Sequence, residues 1–179
     1  LLAIIPTGII GVLFEDFFEK LFSNAYLTSL MLIVTGLILY ITEKIEGGKK
    51  EVEEIKWWQP FIVGTAQGAA IIPGISRSGS TIAASLFQGL NREAAARFSF
   101  LMSIPVIAGA GFLQFLDVIE KGRLNIEFKI IILGFLTAVI SGYFAIKILL
   151  KVLAEKKLNY FSYYCWIVAV IVILVNYFF

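Results

Sequence analysis

Arg77 stands inside an apolar stretch, in the run Pro73-Gly74-Ile75-Ser76-Arg77-Ser78-Gly79-Ser80-Thr81, and that placement constrains the fold more than any other feature of the sequence. A permanent cation at membrane depth is costly, so it faces a partner, a cavity or a ligand. The apolar pieces on either side run from Pro60 to Ile72 and from Ile82 to Leu90. Neither reaches the roughly 20 residues that a spanning helix needs. Together they predict a broken span or a re-entrant helix–loop–helix over about 60–90, whose irregular backbone must be surrounded by protein or a wet cavity.

The composition agrees with a membrane setting. The chain is 59% hydrophobic and 16% charged, with a mean hydropathy of +0.90; a water-soluble domain of this length carries more charge. No basic face or interleaved aromatic pattern points to nucleic acid. The single Cys165 lies in an apolar run and reads as a buried structural thiol. With no histidine, the chain lacks the usual zinc ligand and the usual general base at neutral pH. It begins at Leu1, already inside an apolar segment and without the charged start of a signal peptide, so the natural protein is expected to extend further toward the N-terminus.

Along the chain, the short apolar segment Leu1 to Leu13 precedes Glu15, Asp16 and Glu19, which read as a solvated loop. Ala25 to Ile41 predicts a span, and Glu43 to Lys56 an ordinary charged loop. Trp57 and Trp58 mark an interface. Asn91 is a suitable N-cap for a helix from Arg92 to Leu116, with Glu93 in its first turn and a kink expected at Pro105. Arg92, Glu93 and Arg97 read as a solvated helix start. A polar loop, Asp117 to Glu127, a span from Phe128 to Leu150, a basic loop from Lys151 to Asn159 and a last span from Tyr160 to Phe179 complete the chain.

Charge sorting tests the re-entrant topology. If the segment over 60–90 enters and returns on one side, that side collects Lys44, Lys49, Lys50, Lys56, Arg92, Arg97, Lys147, Lys151, Lys156 and Lys157. The other side holds Lys20, Lys121, Arg123 and Lys129, a bias of ten to four. A crossing segment gives seven against seven. Re-entry is therefore expected, with a cytoplasmic mouth and an outer C-terminus.

The loop itself gathers groups that suit a phosphate. Arg77 offers a bidentate fork, and Ser76, Ser78, Ser80 and Thr81 offer neutral donors. Gly79 permits a tight turn, and Ser80-Thr81 would cap an outgoing half-helix from Thr81 to Leu90, aiming its free N–H groups at the loop. The competing structural reading makes the hydroxyls interhelical glue and pairs Arg77 with a buried carboxylate.

The stretch Gly64 to Thr81, with its Pro-Gly-x-Ser-Arg-Ser-Gly-x-Thr pattern, and the continuation Asn91 to Pro105 resemble the undecaprenyl-diphosphate phosphatase family, also called bacitracin-resistance proteins. The resemblance covers essentially the whole chain. It implies a multi-pass enzyme of the bacterial or archaeal cell membrane that hydrolyses undecaprenyl diphosphate to the monophosphate and inorganic phosphate. The carrier is thereby recycled for peptidoglycan and other wall polymers. The implied fold is all-α, a polytopic bundle of two inverted repeats, each with a re-entrant helix–loop–helix. Arg77 and Ser76 are the implied catalytic residues; Ser78, Gly79, Ser80, Thr81 and Gln67 the implied substrate contacts. Gln67 reads equally as a helix-packing amide. A divalent cation, Mg2+ or Ca2+, is implied as cofactor by the resemblance alone, and a homodimer is an assembly it allows.

One departure stands out. The family's other repeat carries a Glu-rich motif and a Ser-Ser-Thr-Gly-His loop, and neither occurs here. Half an active site is therefore expected, with nucleophile and base outside this chain. Ser76 or Ser78 as nucleophile lacks a visible base. The alternative function is a polyprenyl-phosphate transporter or flippase, since broken helices that meet anions are a transporter signature. Lipid phosphatases with a histidine nucleophile are disfavoured by the lack of histidine.

Overall fold

The structure, a computed structural model, describes residues 2–120 and 128–178. Among the described residues the chain forms eight α-helices: α1 Ile4–Leu13, α2 Glu15–Phe22, α3 Ala25–Lys44, α4 Gln59–Ala69, α5 Arg77–Phe87, α6 Arg92–Glu120, α7 Phe128–Ala154 and α8 Asn159–Phe178. There is no strand among them, only an isolated bridge between Lys50 and Leu90. Helices α3, α6, α7 and α8 are each long and apolar enough to cross a membrane. This is the all-α polytopic bundle that the resemblance implies.

Local chemistry sets the boundaries. Asn24 caps α3 by accepting from the Leu27 amide at 3.0 Å, and Asn91 caps α6 by accepting from Ala94 at 2.8 Å. Helix α6 continues through Pro105 to Glu120, so Asp117 belongs to a helix; the rest of the expected loop, with Lys121 and Arg123, lies outside the described residues. Glu15, Asp16 and Glu19 are another correction: they start and line the short helix α2 rather than a loop, and they remain exposed.

Small residues let the helices approach. Gly36 of α3 lies against the Trp166 indole of α8, where a Cβ would overlap the ring, and Trp166 Nε1 donates to the Ile33 carbonyl at 3.1 Å. Gly64 and Gly68, four residues apart on α4, form a groove for α1, and a Cβ on Gly64 would overlap the Ala3 carbonyl. This is the small-residue packing by which membrane helices gain dispersion contact.

Helices α4 and α5 are each 11 residues long, about 16 Å, or half a hydrocarbon core. They form an antiparallel hairpin. Its base is closed by a reciprocal pair of side-chain bonds, Gln59 Nε2 to the Gln88 carbonyl at 3.2 Å and Gln88 Nε2 to the Gln59 carbonyl at 3.4 Å. The flanking loops join there too, with Gly48 N–H on Leu90 O and Asn91 N–H on Lys50 O, both at 2.9 Å.

That same end collects the charged loops. Arg92 reaches back to the end of α3, donating to the Glu43 and Ile45 carbonyls at 3.0 and 2.7 Å, and Glu43 Oε2 accepts from the Leu158 amide at 2.8 Å. Arg92 and Glu43 are thus not a solvated helix start and an ordinary loop residue: their side chains are only 10% and 8% exposed. Arg97 and Glu93 do form the expected exposed pair, at 3.2 Å.

Candidate functional site

The turn that closes the hairpin is made by Gly74, at φ +93°. A side chain there would meet the Thr28 carbonyl of α3 and strain the backbone as well. The expected turn role of Gly79 is therefore held by Gly74. Gly79 lies inside α5, buried, with Leu39 beside its Cα hydrogens.

Thr35 pins the turn to α3. Its hydroxyl donates to the Gly74 carbonyl at 2.8 Å and accepts from the Ser76 amide at 3.0 Å. Thr35 lies near the middle of the 20-residue α3, a helix about 30 Å long. Both contacts therefore place the hairpin tip near half the depth of a spanning helix. Sequence reading did not single out Thr35, although a hydroxyl centred in an apolar helix is the signal that would have found it.

The outgoing helix starts earlier than expected. Ser76, with extended backbone at φ −70° and ψ 115°, caps α5, and its Oγ accepts from the Gly79 amide at 3.1 Å. The sequence pattern assigns that role to Ser80-Thr81. Ser76 prevails because Thr35 already holds its amide, which fixes it in a capping conformation. The first intrahelical bond follows, Ser80 N–H to Ser76 O at 2.9 Å. The amides of Arg77 and Ser78 are left without a partner among the described residues, at the positive end of the helix dipole.

The other site residues separate into two groups. Ser76, Ser78 and Gly79 line a cavity of about 430 Å3 whose remaining wall is mostly apolar, including Leu39, Ile82, Leu149, Leu158, Phe161 and Cys165. Arg77 sits at the first helical position, exposed, with no ion pair or side-chain hydrogen bond among the described residues. Ser80 is half-buried and does not line that cavity.

Thr81 and Gln67 are turned to packing. Thr81 is fully buried. Its hydroxyl meets the Arg77 and Ser78 carbonyls of its own helix at 2.9 and 3.2 Å and the Ser99 hydroxyl of α6 at 2.6 Å, and the last of these joins α5 to α6. Gln67, also buried, donates to Thr7 of α1 at 3.3 Å, and Thr7 in turn donates to the Gly64 carbonyl at 2.8 Å. Gln67 lies in the last turn of α4; its Nε2 is engaged in packing on Thr7, while its buried Oε1 has no partner among the described residues.

A family model described as bacitracin resistance protein BacA matches residues 1–171. The chain belongs to the bacitracin resistance protein family. It is 55% identical to an undecaprenyl-diphosphatase of Halothermothrix orenii over 97% of this chain and 67% of that protein. It is 47% identical to that of Alkaliphilus metalliredigens over 97% of this chain and 63% of the relative. The undecaprenyl-diphosphatase of Methanothermobacter thermautotrophicus is 45% identical over 94% of both chains. The chain thus spans about two thirds of the length of the first two relatives and nearly all of the third. Four spanning helices and this membership make it a multi-pass membrane protein.

Among the described residues no three His, Cys, Asp or Glu side chains gather as a cation site. Those residues do not by themselves gather a donor set for the implied divalent cation. No carboxylate lies within hydrogen-bonding reach of the Ser76 or Ser78 hydroxyl among the described residues.

Proposed function

We propose that this chain carries the anion-binding half of an undecaprenyl-diphosphate phosphatase. The observation that carries the reading is Arg77: a guanidinium beside a hairpin tip pinned halfway along a spanning helix, with no acidic neighbour among the described residues to neutralise it. Such a charge in lipid is costly unless an anion meets it. The competing structural reading required a buried carboxylate beside Arg77, and the described residues provide none.

On this reading each group has a role. The headgroup docks at the start of α5, where the unpartnered amides of Arg77 and Ser78 and the Ser78 hydroxyl donate to phosphate oxygens. Arg77 neutralises charge that grows on the terminal phosphoryl group as the bond to the bridging oxygen breaks. Water takes the place of the leaving monophosphate on that phosphorus, giving inorganic phosphate. Ser76 acts by shaping the loop, since its oxygen is engaged as the cap. The cavity beside Ser76 and Ser78, apolar on its far wall, receives the first isoprenoid units of the lipid. The hairpin is re-entrant from the basic, cytoplasmic end. The nucleophile-activating base and the second repeat lie outside this chain.

Phosphate release from undecaprenyl diphosphate in liposomes tests the reading, using the full-length protein. Turnover is expected in the wild type and a loss of about 100- to 1,000-fold in Arg77→Ala. Unchanged turnover in Arg77→Ala would overturn the role of Arg77. Vectorial movement of polyprenyl phosphate without phosphate release would instead support the transporter alternative.

A further inference from the structure

The wall of the cavity opposite Ser76 and Ser78 begins at Leu158, a buried residue in the short turn between α7 and α8. That turn is strained. Helix α7 ends with Lys157 N–H on Val152 O at 3.0 Å and Lys156 N–H on Leu153 O at 3.3 Å, which places Lys156 at φ 53°. This is the left-handed cap that glycine fills at lowest cost. The turn's own charges satisfy each other: Lys157 Nζ lies 2.7 Å from Glu155 Oε2, and that hydrogen bond holds the Glu155 carboxylate below its ordinary pKa. Leu153 and Leu158 pack into the apolar core with Ile82, Leu86 and Ala95, and the polar tie of the turn is a carboxylate 115 residues away, Glu43 at the end of α3, which accepts the Leu158 amide at 2.8 Å. Glu43 is itself held by Arg92, whose guanidinium lies 3.9 Å from the same oxygen and binds two carbonyls at the end of α3.

We propose that Glu43 is a positioning residue for the reaction: its carboxylate latches the α7–α8 turn to α3 and so sets the distance between the Leu158–Phe161–Cys165 wall and Ser76 and Ser78. The inference rests on the phosphatase reading only in taking that cavity as part of the substrate site. Glu43 touches no substrate; it acts through the Leu158 backbone. Without it, a strained turn is free to relax and the wall to move outward. The bound lipid then loses contact on one side, while Arg77 and the start of α5 stay in place. Substrate affinity falls and the chemical step does not.

Cys165 reports the wall directly, because it lines the cavity and is the chain's single cysteine. Its alkylation by a membrane-permeant maleimide requires no turnover. In Glu43→Ala the labelling rate is expected to rise about tenfold, the shift in opening expected from losing a charged hydrogen bond. Glu43→Gln keeps an oxygen for the Leu158 amide and should stay within about twofold of wild type. Asn91→Ala, which removes the α6 cap without touching the wall, should also label at the wild-type rate. A wild-type rate in Glu43→Ala, a fast rate in Glu43→Gln, or equal acceleration in Asn91→Ala would each overturn the latch. In the full-length protein, Glu43→Ala should raise KM for undecaprenyl diphosphate about tenfold and leave kcat within about threefold; a fall in kcat at unchanged KM would contradict it. Absence of wild-type phosphate release with the labelling contrast intact would count against the phosphatase reading and leave the latch standing.

Discussion

Arg77 and Arg92 occupy the same place in their helices and meet opposite fates. Each is the first helical residue after a capping side chain, Ser76 for α5 and Asn91 for α6. Arg92 is buried at the basic end of the bundle, donating to two carbonyls beside the Glu43 carboxylate. Arg77 lies beside the hairpin tip, exposed and unpaired among the described residues. A charge that merely held the fold together would look like Arg92. The contrast teaches that a helix-starting arginine is structural when its donors are spent on the chain and available for a ligand when they are not.

The comparison breaks first at its structural member. Arg92→Ala should cost about 3 kcal/mol, because it leaves Glu43 buried without its cation. A thermal or denaturant melt in detergent measures this, and a loss below about 1 kcal/mol would mean that the burial of Arg92 is incidental. Gly74→Ala comes next. It combines a left-handed backbone with a clash on the Thr28 carbonyl and should cost about 2 kcal/mol. Ser76→Ala removes only a cap and should cost about 1 kcal/mol, with Ser80→Ala nearly neutral. The reverse order would restore Ser80 as the cap. Smallest of all is Arg97→Ala, whose partner Glu93 is exposed, with an expected change under about 0.5 kcal/mol.

The spanning helices and the two half-length pieces of the hairpin were legible in the sequence, because apolar length is read directly against bilayer thickness. The Asn91 cap was legible because one candidate stood before one helix. The Ser76 cap was not. Four hydroxyl residues lie within six positions, and the choice among them is made by Thr35, 41 residues away from Ser76. The latch at Glu43 was hidden for a related reason. A carboxylate in a run of charges reads as solvated unless one knows that Leu158, far along the chain, returns to meet it. Gln67 and Thr81 fell inside the motif, and only their packing partners Thr7 and Ser99 show what holds them.

The central claim, that the free guanidinium beside the hairpin tip is the diphosphate receptor, is tested most directly by binding without turnover. A methylene-bridged polyprenyl diphosphate can be titrated into nanodiscs that hold wild type, Arg77→Ala or Arg97→Ala, each as the full-length protein. The account predicts that Arg77→Ala weakens binding about 10- to 100-fold, the value of a lost charged hydrogen-bond pair, and that Arg97→Ala matches wild type. Equal affinity in Arg77→Ala and wild type would contradict it.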